Sequence, residues 1–495
     1  MILYLLLSIL VLSFLWIQRQ YSYWERRGVP YVKASFPRGN LQGVGKKFHM
    51  STAIQACYNK LKGKGPFGGI FFFLNPVVLV MDLELVKHVL VKDFQFFHDR
   101  SLYYNEKDDP LTGNLLNIEG TRWRNLRAKI TPTFTSGKMK MMFPTIVAIA
   151  DQFHALLVRE SAEGVEMEMK EALARFTTDV IGRCAFGLEC DSLSNPESIF
   201  RQMGSRLFSK RSFRLVVAQQ FRELARFLGY VTFDKEVSTF FLNIVRETIE
   251  YREESGVSGK DFMDLMIKLK NSESIDDSEG SSLGALTFNE IAAQAVVFFA
   301  AGFETSATTM SYCLYELALN PALQGKARDE VTHVIRKHGI LTYEAAQEMQ
   351  YVGACIDEAL RKYPPGPSLS RAVTKNYKVP NTNTTLEKGT SVLIPVYAIH
   401  HDPEYFPEPE RYVPDRFLPE QQAARNPYSY LPFGEGPRNC IGLRFGLTVA
   451  RIGVAYVLKG FRISLSRRTP VPLELSRQKM ILTIEGGLWL HLEKL

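Results

Sequence analysis

Apolar residues fill the start of the chain almost without a break. Ile2 to Ile17 is interrupted only by Ser8 and Ser13, and no charge occurs before Arg19. That run is near the lower limit of about 17 residues for a bilayer-crossing helix. It lacks the basic start and small-residue cut site of a cleaved leader, so residues 1–18 are expected to form an uncut signal anchor. Arg19, Arg26 and Arg27 follow, which by the positive-inside rule leaves the N-terminus in the lumen and the rest of the chain in the cytosol. Gly28, Pro30 and Pro37 then predict a basic, proline-containing hinge over 19–39 that frees the globular part from the bilayer.

Past the hinge, Met50 to Lys62 alternates with an amphipathic period, and the apolar run Gly69 to Met81 reads as β-rich. Between them Gly63, Gly65 and Gly68 fit the dinucleotide pattern G-x-G-x-x-G. The order is reversed, however, with a helix before and strands after, so the expectation is a turn leading into a hairpin. From about 120 to 360 the period is mostly helical, with a polar interruption at 271–282 expected to be an exposed loop. Thr287 and Glu290 fit a capping box. The helix they open can run unbroken to Asn320-Pro321, roughly 48 Å at 1.5 Å per residue. Apolar on nearly all sides from Ala292 to Ala301, it must cross the core. Beyond Pro364 come strands and proline-rich connections, then a glycine-rich turn and a helix to about Lys459. No repeat appears and no long linker divides 40–495, which reads as one unit.

Hydrophobic residues make up 46% of the chain and 33 are phenylalanines, enough for a large core with an apolar pocket. The six cysteines, at 57, 184, 190, 313, 355 and 440, show no metal or redox spacing, and five read as core residues in a reducing compartment. The net charge of +8 is too dispersed for nucleic acid. Two regional excesses stand out: six basic and no acidic residues from Arg122 to Lys140, and seven basic residues against Glu223 alone from Arg201 to Arg226. Each is a solvated helix face or a docking surface, the first for an acidic protein and the second for a membrane.

The most informative stretch is Phe433-Gly434-Glu435-Gly436-Pro437-Arg438-Asn439-Cys440-Ile441-Gly442. Glycines at 436 and 442 let the backbone approach a flat group closely, and N–H groups at the following helix start favour a thiolate. A lone cysteine is more often a small buried hydrophobe. A papain-like nucleophile lacks its flanking signature here, and zinc lacks a second cysteine nearby, His400-His401 being an isolated doublet. The stretch resembles the cysteine-ligand loop of haem-thiolate proteins, the cytochrome P-450 superfamily. Its pattern is Phe, two residues, Gly, one residue, Arg, one residue, Cys, one residue, Gly, and every fixed position is filled.

The resemblance spans the chain, from anchor to C-terminal strands. It is nearest to insect family-six microsomal enzymes, on Arg27-Gly-Val-Pro30, Phe36-Pro-Arg-Gly39, Thr131 to Gly137 and Glu485-Gly-Gly-Leu-Trp489. It implies a mainly α fold with a smaller β-rich region, and a haem-thiolate catalytic domain over 40–495. It further implies haem b with Cys440 as its axial metal ligand. Ala300 to Ser306 resembles the family's oxygen-binding groove, which makes Ala301 and Gly302 the groove and Glu304 and Thr305 the proton relay. From the residues alone, Thr305 could equally bond back to a carbonyl one turn earlier. Arg100, Trp123, Arg127, Arg371 and Arg438 match propionate-binding positions, with Phe433 and Gly442 also beside the cofactor. Glu358, Arg361 and Arg416 match a buried structural triad. Asp415 departs from the family's usual Glu there but keeps the charge.

The activity so implied is monooxygenation of a lipophilic small molecule, such as a plant toxin, an insecticide, a hormone or a fatty acid. Substrate contacts are expected from Tyr103–Ile118, Phe200–Tyr230, Phe298–Thr305, Ser368–Val373 and Leu482–Gly486, which are apolar and aromatic. Nothing in the chain binds flavin or nicotinamide. Electrons from NADPH would therefore arrive through a separate membrane-bound reductase, with cytochrome b5 as a second donor, docking around Arg122 to Lys140. The implied location is the endoplasmic reticulum membrane, facing the cytosol. The rivals are a haem-thiolate hydroperoxide isomerase or dehydratase, which needs no proton relay, and a membrane-anchored haem or ligand carrier.

Overall fold

The computed structural model describes residues 1–161, 165–207, 213–259, 261–271 and 285–495. The segment expected as a loop at 271–282 lies outside these apart from Asn271, which ends a helix begun at Phe262. Part of the 200–230 stretch is likewise outside.

Residues Ile2–Tyr21 form one helix with none of its residues buried. At 1.5 Å per residue it is about 30 Å long, the thickness of a bilayer's hydrocarbon core. It runs three residues past Gln18, because Arg19, Gln20 and Tyr21 contain no breaker and a long arginine at a helix end can reach the lipid headgroups. Two further helices are long and apolar enough to cross a membrane, Ser136–Glu160 and Phe288–Leu319, but 44% and 72% of their apolar windows are buried in the protein. They belong to the core.

The stretch after this helix packs onto the folded part of the chain. Trp24 is fully buried and packs so closely on Gly69 that a Cβ there would lie 2.3 Å from the indole. Its Nε1 donates to the Ile70 carbonyl at 3.1 Å. Tyr21 meets Phe71 edge-on at 5.3 Å, and the Val32 N–H donates to Gly69 at 2.9 Å. The glycines and prolines do end the helix, but an aromatic cluster then fastens the chain to the sheet.

That sheet is built from the hairpin β1 (Phe67–Phe72) and β2 (Asn75–Val80). A second sheet begins with β3 (Glu166–Glu168). Then follow β4 (Leu369–Ala372), a short ribbon of β5 (Tyr377–Lys378) with β6 (Thr385–Leu386), and β7 (Ser391–Ile394). The chain closes with β8 (Phe461–Leu465) and β9 (Trp489–Lys494). The larger sheet has the order β1-β2-β7-β4, with β2 and β7 parallel and the other pairs antiparallel; the smaller is β3-β9-β8. Gly63 and Gly65 sit between the helix Met50–Leu61 and β1, and Gly68 lies in β1 itself, so the glycines make a turn that enters a hairpin.

Helices occupy most of the rest. The capping box at Thr287 and Glu290 forms, and the helix it opens, Phe288–Leu319, ends just before Asn320-Pro321. This core helix is buried over most of its length, as a helix apolar on every side must be. It packs against Met169–Phe186, where small residues let the backbones approach: a Cβ on Gly302 would stand 2.6 Å from the Ile181 Cδ1. On another side lies the cysteine helix, Leu443–Gly460, touching through Phe298 and Phe445 at 5.8 Å.

Candidate functional site

Five of the six cysteines are buried; Cys440 alone is exposed. Its turn is closed by three backbone bonds: Gly434 N–H to Leu431 at 3.0 Å, Asn439 N–H to Gly436 at 3.0 Å and Cys440 N–H to Phe433 at 2.9 Å. The two expected reasons for its glycines separate here. Gly436 has φ +75° and its Cβ would fall 2.0 Å from the Leu90 carbonyl oxygen, so turn geometry and packing demand it rather than a cofactor. At Gly442 the nearest atom to a Cβ is Phe134 Cε1 at 3.9 Å, an ordinary contact, so packing does not demand the glycine there.

Burial raises the Cys440 thiol's pKa, while the Gly442 N–H and the guanidiniums of Arg127 and Arg100 oppose that rise. The core helix is accessible at Ala301 and half-buried at Gly302 and Thr305, between buried neighbours. Ala301, Gly302 and Thr305 therefore keep accessible surface although they belong to a helix of the core. The Thr305 hydroxyl donates to the Ala301 carbonyl at 2.5 Å, the back-bonded arrangement left open by the residues alone. Glu304, one residue before Thr305 and so about 100° around the helix, is buried and lies 3.9 Å from Lys170 Nζ. It lines a polar cavity of about 320 Å³ together with Glu168, Lys170, Glu171, Arg201 and Glu485. The acid and the alcohol thus stand on different faces.

Around the cysteine turn four arginines converge without a matching set of carboxylates. Arg438 and Arg371 are each 2% exposed. Arg438 Nη2 donates to the Ile118 carbonyl and its plane lies 4.4 Å from the Trp123 ring centre, but its Nε and Nη1 are buried with no partner, as is Arg371 Nε. Arg100 donates to the carbonyls of Leu116 and Arg438 at 3.3 and 3.1 Å. Arg127 holds Asn439, beside the cysteine, through its carbonyl and side-chain oxygens, both at 2.9 Å. Burial lowers all four, and repulsion between arginines adds to it at Arg100, Arg371 and Arg438. Arg100 is lowered to about 10, mainly by burial, and Arg438 to about 9 by burial and then by Arg100. Arg371 falls well below its ordinary value for the same reasons. Unpaired buried cations are costly, and their orphaned N–H groups fit a ligand that brings carboxylates. A haem with two propionates meets that need.

The triad forms as well. Glu358 and Arg361 are fully buried and share a bidentate bond, Nε to Oε2 at 2.7 Å and Nη2 to Oε1 at 2.9 Å. Arg416 Nε stands 3.5 Å from the same carboxylate, which also accepts from the Val413 N–H at 2.9 Å.

Of the basic excess at 122–140, Arg122 is tied to Glu106 and Glu290 at 2.6 and 2.8 Å, Arg127 faces inward, and Lys140 pairs with Glu344. Arg124 and Lys138 stay exposed. In the second excess, Arg201 pairs with Glu171 at 2.6 Å and Arg206 with Asp234 at 2.9 Å.

A mainly helical fold with a small β-rich part, a cysteine in a glycine turn and a ring of anion-seeking arginines defines a haem-thiolate protein. The Cytochrome P450 family profile matches residues 34–491. Probable cytochrome P450 6a13 of Drosophila melanogaster is 45% identical, covering 100% of this chain and 99% of its own length. Cytochrome P450 6A1 of Musca domestica is 43% identical, with 99% and 97% covered. Cytochrome P450 6a8 of Drosophila melanogaster is also 43% identical, with 98% and 97% covered. The chain belongs to the cytochrome P450 family and is a haem-thiolate monooxygenase.

Proposed function

We propose that this monooxygenase oxidises lipophilic small molecules at the cytosolic face of the endoplasmic reticulum, taking electrons from NADPH through a separate reductase. Bound haem supplies dioxygen binding and reductive O–O cleavage, which a cysteine thiolate favours. Cys440 is its ligand. Arg100, Arg371 and Arg438 hold the propionates beside Trp123, and Arg127 adds charge while bracing the loop through Asn439. Ala301, Gly302, Phe433 and Gly442 border the ring.

Protons reach the site through Glu304. In the polar cavity it exchanges them with water beside Lys170, and a side-chain rotation presents them to Thr305. Substrate fits among Tyr103–Ile118, the described part of Phe200–Tyr230, Phe298–Thr305, Ser368–Val373 and Leu482–Gly486, whose apolar and aromatic content suits plant toxins, insecticides, hormones and fatty acids alike. The exposed Phe221, Leu224, Phe227 and Leu228 form an apolar patch. Neighbouring Gln220 bonds Asn75 in the hairpin on which Tyr21 of the anchor helix also packs. The patch and the anchor thus share one support, and both enter the lipid.

The observation that carries this reading is the exposed Cys440 in a turn beside which the buried Arg438 and Arg371 keep N–H groups without a partner. The test uses the full chain in membranes with a P450 reductase. The reduced carbonyl complex is expected to show a strongly red-shifted Soret band, and Thr305→Ala to use NADPH while forming several-fold less product. Haem incorporation without the shift overturns the ligand assignment. Unchanged coupling in Thr305→Ala overturns the relay.

A further inference from the structure

The doublet His400-His401 has no part in the chemistry above, yet both residues are buried and they differ sharply. His401 is local: its Nδ1 lies 2.8 Å from the Tyr397 carbonyl and its ring stacks on Tyr397 at 4.1 Å. His400 reaches two distant elements. Its Nδ1 is 3.0 Å from the carbonyl of Arg361, and its Nε2 is 2.9 Å from the N–H of Leu431.

These partners fix the tautomer. A backbone carbonyl can only accept and a backbone N–H can only donate, so Nδ1 carries the proton and Nε2 offers its lone pair. A cationic ring could not accept from Leu431. The link to Arg361 is reciprocal, since Arg361 Nη1 donates to the His400 carbonyl at 2.9 Å. Arg361 is itself locked by Glu358. On the other side, Leu431 opens the cysteine turn: its carbonyl accepts from Gly434, two residues before the turn is closed by Cys440 N–H to Phe433. The Tyr430 ring stacks on the imidazole at 5.4 Å, and its hydroxyl is held by Asp357 at 3.0 Å.

We propose that neutral His400 is a positioning residue for the cysteine ligand, carrying the fixed location of the Glu358–Arg361 pair to the start of the loop that presents Cys440. The proposal rests on Cys440 being the haem ligand. A loop released at Leu431 is free to shift its sulfur, because buried donors left unpaired seek new partners. Among the described residues no other side chain bonds the Leu431 N–H.

The test compares His400→Gln, whose amide oxygen reaches the Nε2 position, with His400→Asn, which reaches only the Nδ1 position, and with His400→Phe, which keeps the ring and loses both bonds. His401→Phe is the control for general destabilisation. Each full chain is reduced under carbon monoxide well below its unfolding midpoint, and the red-shifted fraction of its haem is recorded with that midpoint. The expected result is a wild-type fraction in His400→Gln and His401→Phe, and a several-fold lower one in His400→Asn and His400→Phe. If His400→Phe holds no haem, the Gln and Asn pair decides. A full red shift in His400→Asn, with only the midpoint lowered, overturns the proposal. No red shift in the wild type overturns instead the assignment of Cys440 as ligand.

Discussion

The Arg438 guanidinium lies 4.4 Å from the centre of the Trp123 ring, while its Nε and Nη1 are buried without a partner. The ring accounts for one face of the cation through the aromatic quadrupole, and leaves its edge for an anion. Arg438→Leu is therefore expected to keep the fold and weaken haem retention by about tenfold or more, the worth of a charge-assisted bond. Haem content per folded chain, followed during transfer to a haem-scavenging protein, measures this. Arg438→Lys should fall between, because a point charge cannot both stack and donate in the plane.

The Glu358–Arg361 pair is fully buried, so its halves are not equivalent to surface charges. Glu358→Gln leaves Arg361 with an uncompensated buried charge and is expected to cost about 3–5 kcal/mol. Arg416, 3.5 Å from the carboxylate and nearer the surface, should cost less when replaced by Leu. Thermal unfolding of the solubilised chain ranks the two, and an equal loss would show that Arg416 contributes as much as Arg361's partner.

Gly302 faces Ile181, whose Cδ1 leaves no room for a Cβ. Overpacking of this kind costs about 1–3 kcal/mol. Ile181→Val removes the nearest atom and alone costs about 0.5–1.5 kcal/mol. Combined with Gly302→Ala it should cost less than the sum, since contacting residues couple. A haem loss in Gly302→Ala that Ile181→Val fails to repair would place the demand for glycine on the cofactor side.

Burial raises the Asp357 carboxyl to about 6, a shift that the Tyr430 hydroxyl and the Arg451 and Arg425 guanidiniums only partly offset. Its ordinary value is 3.8. Between these two values the folded chain holds the proton and the unfolded chain has lost it, so rising pH removes stability across that window and no further beyond it. Asp357→Asn abolishes that slope. The variant's advantage in unfolding free energy should grow from pH 4 to pH 6 and then level off, at on the order of 1–2 kcal/mol once solvent screening is allowed for. A pH-independent difference between the two proteins would contradict this.

What the sequence discloses and what it hides divide along local and distant contacts. The capping box at Thr287, the helix end at Asn320-Pro321 and the turn chemistry around Cys440 depend on neighbours within a few residues, and all are readable. The pairing of Glu358 with Arg361 is a spacing of three on a helix. By contrast, periodicity places Glu304 on a helix but cannot say that Lys170 draws it away from Thr305. Pro30 and Gly28 signal a break, yet the burial of Trp24 beneath Gly69 is a contact between segments 45 positions apart. Arg127 and Trp123 share a helix face, but Asn439 takes both Nη atoms of Arg127. His400 was visible only as half of an isolated doublet, because its two partners come from different parts of the chain.

The same distinction reshapes the basic surface. Counted along the chain, 122–140 holds six cations, but an ion paired within its own protein offers little to a partner. Arg122 is neutralised by Glu106 and Glu290, Lys140 by Glu344, Arg127 is turned to Asn439, and Lys129 is half-buried with Glu290 near it. Arg124 and Lys138 remain exposed, with Arg444 exposed at the start of the cysteine helix. Charge reversal at these three is expected to raise the reductase concentration for half-maximal turnover several-fold, mainly by slowing association. It should leave the carbonyl spectrum and the unfolding midpoint unchanged. The defect should shrink as salt rises past physiological strength, where screening acts within about 8 Å. Reversal of Arg122 should instead lower the unfolding midpoint, because it breaks two ion pairs, and should leave the salt dependence of turnover near that of the wild type. If Arg122 and the exposed three behave alike, the docking surface is set by the linear cluster rather than by the cations that folding leaves free.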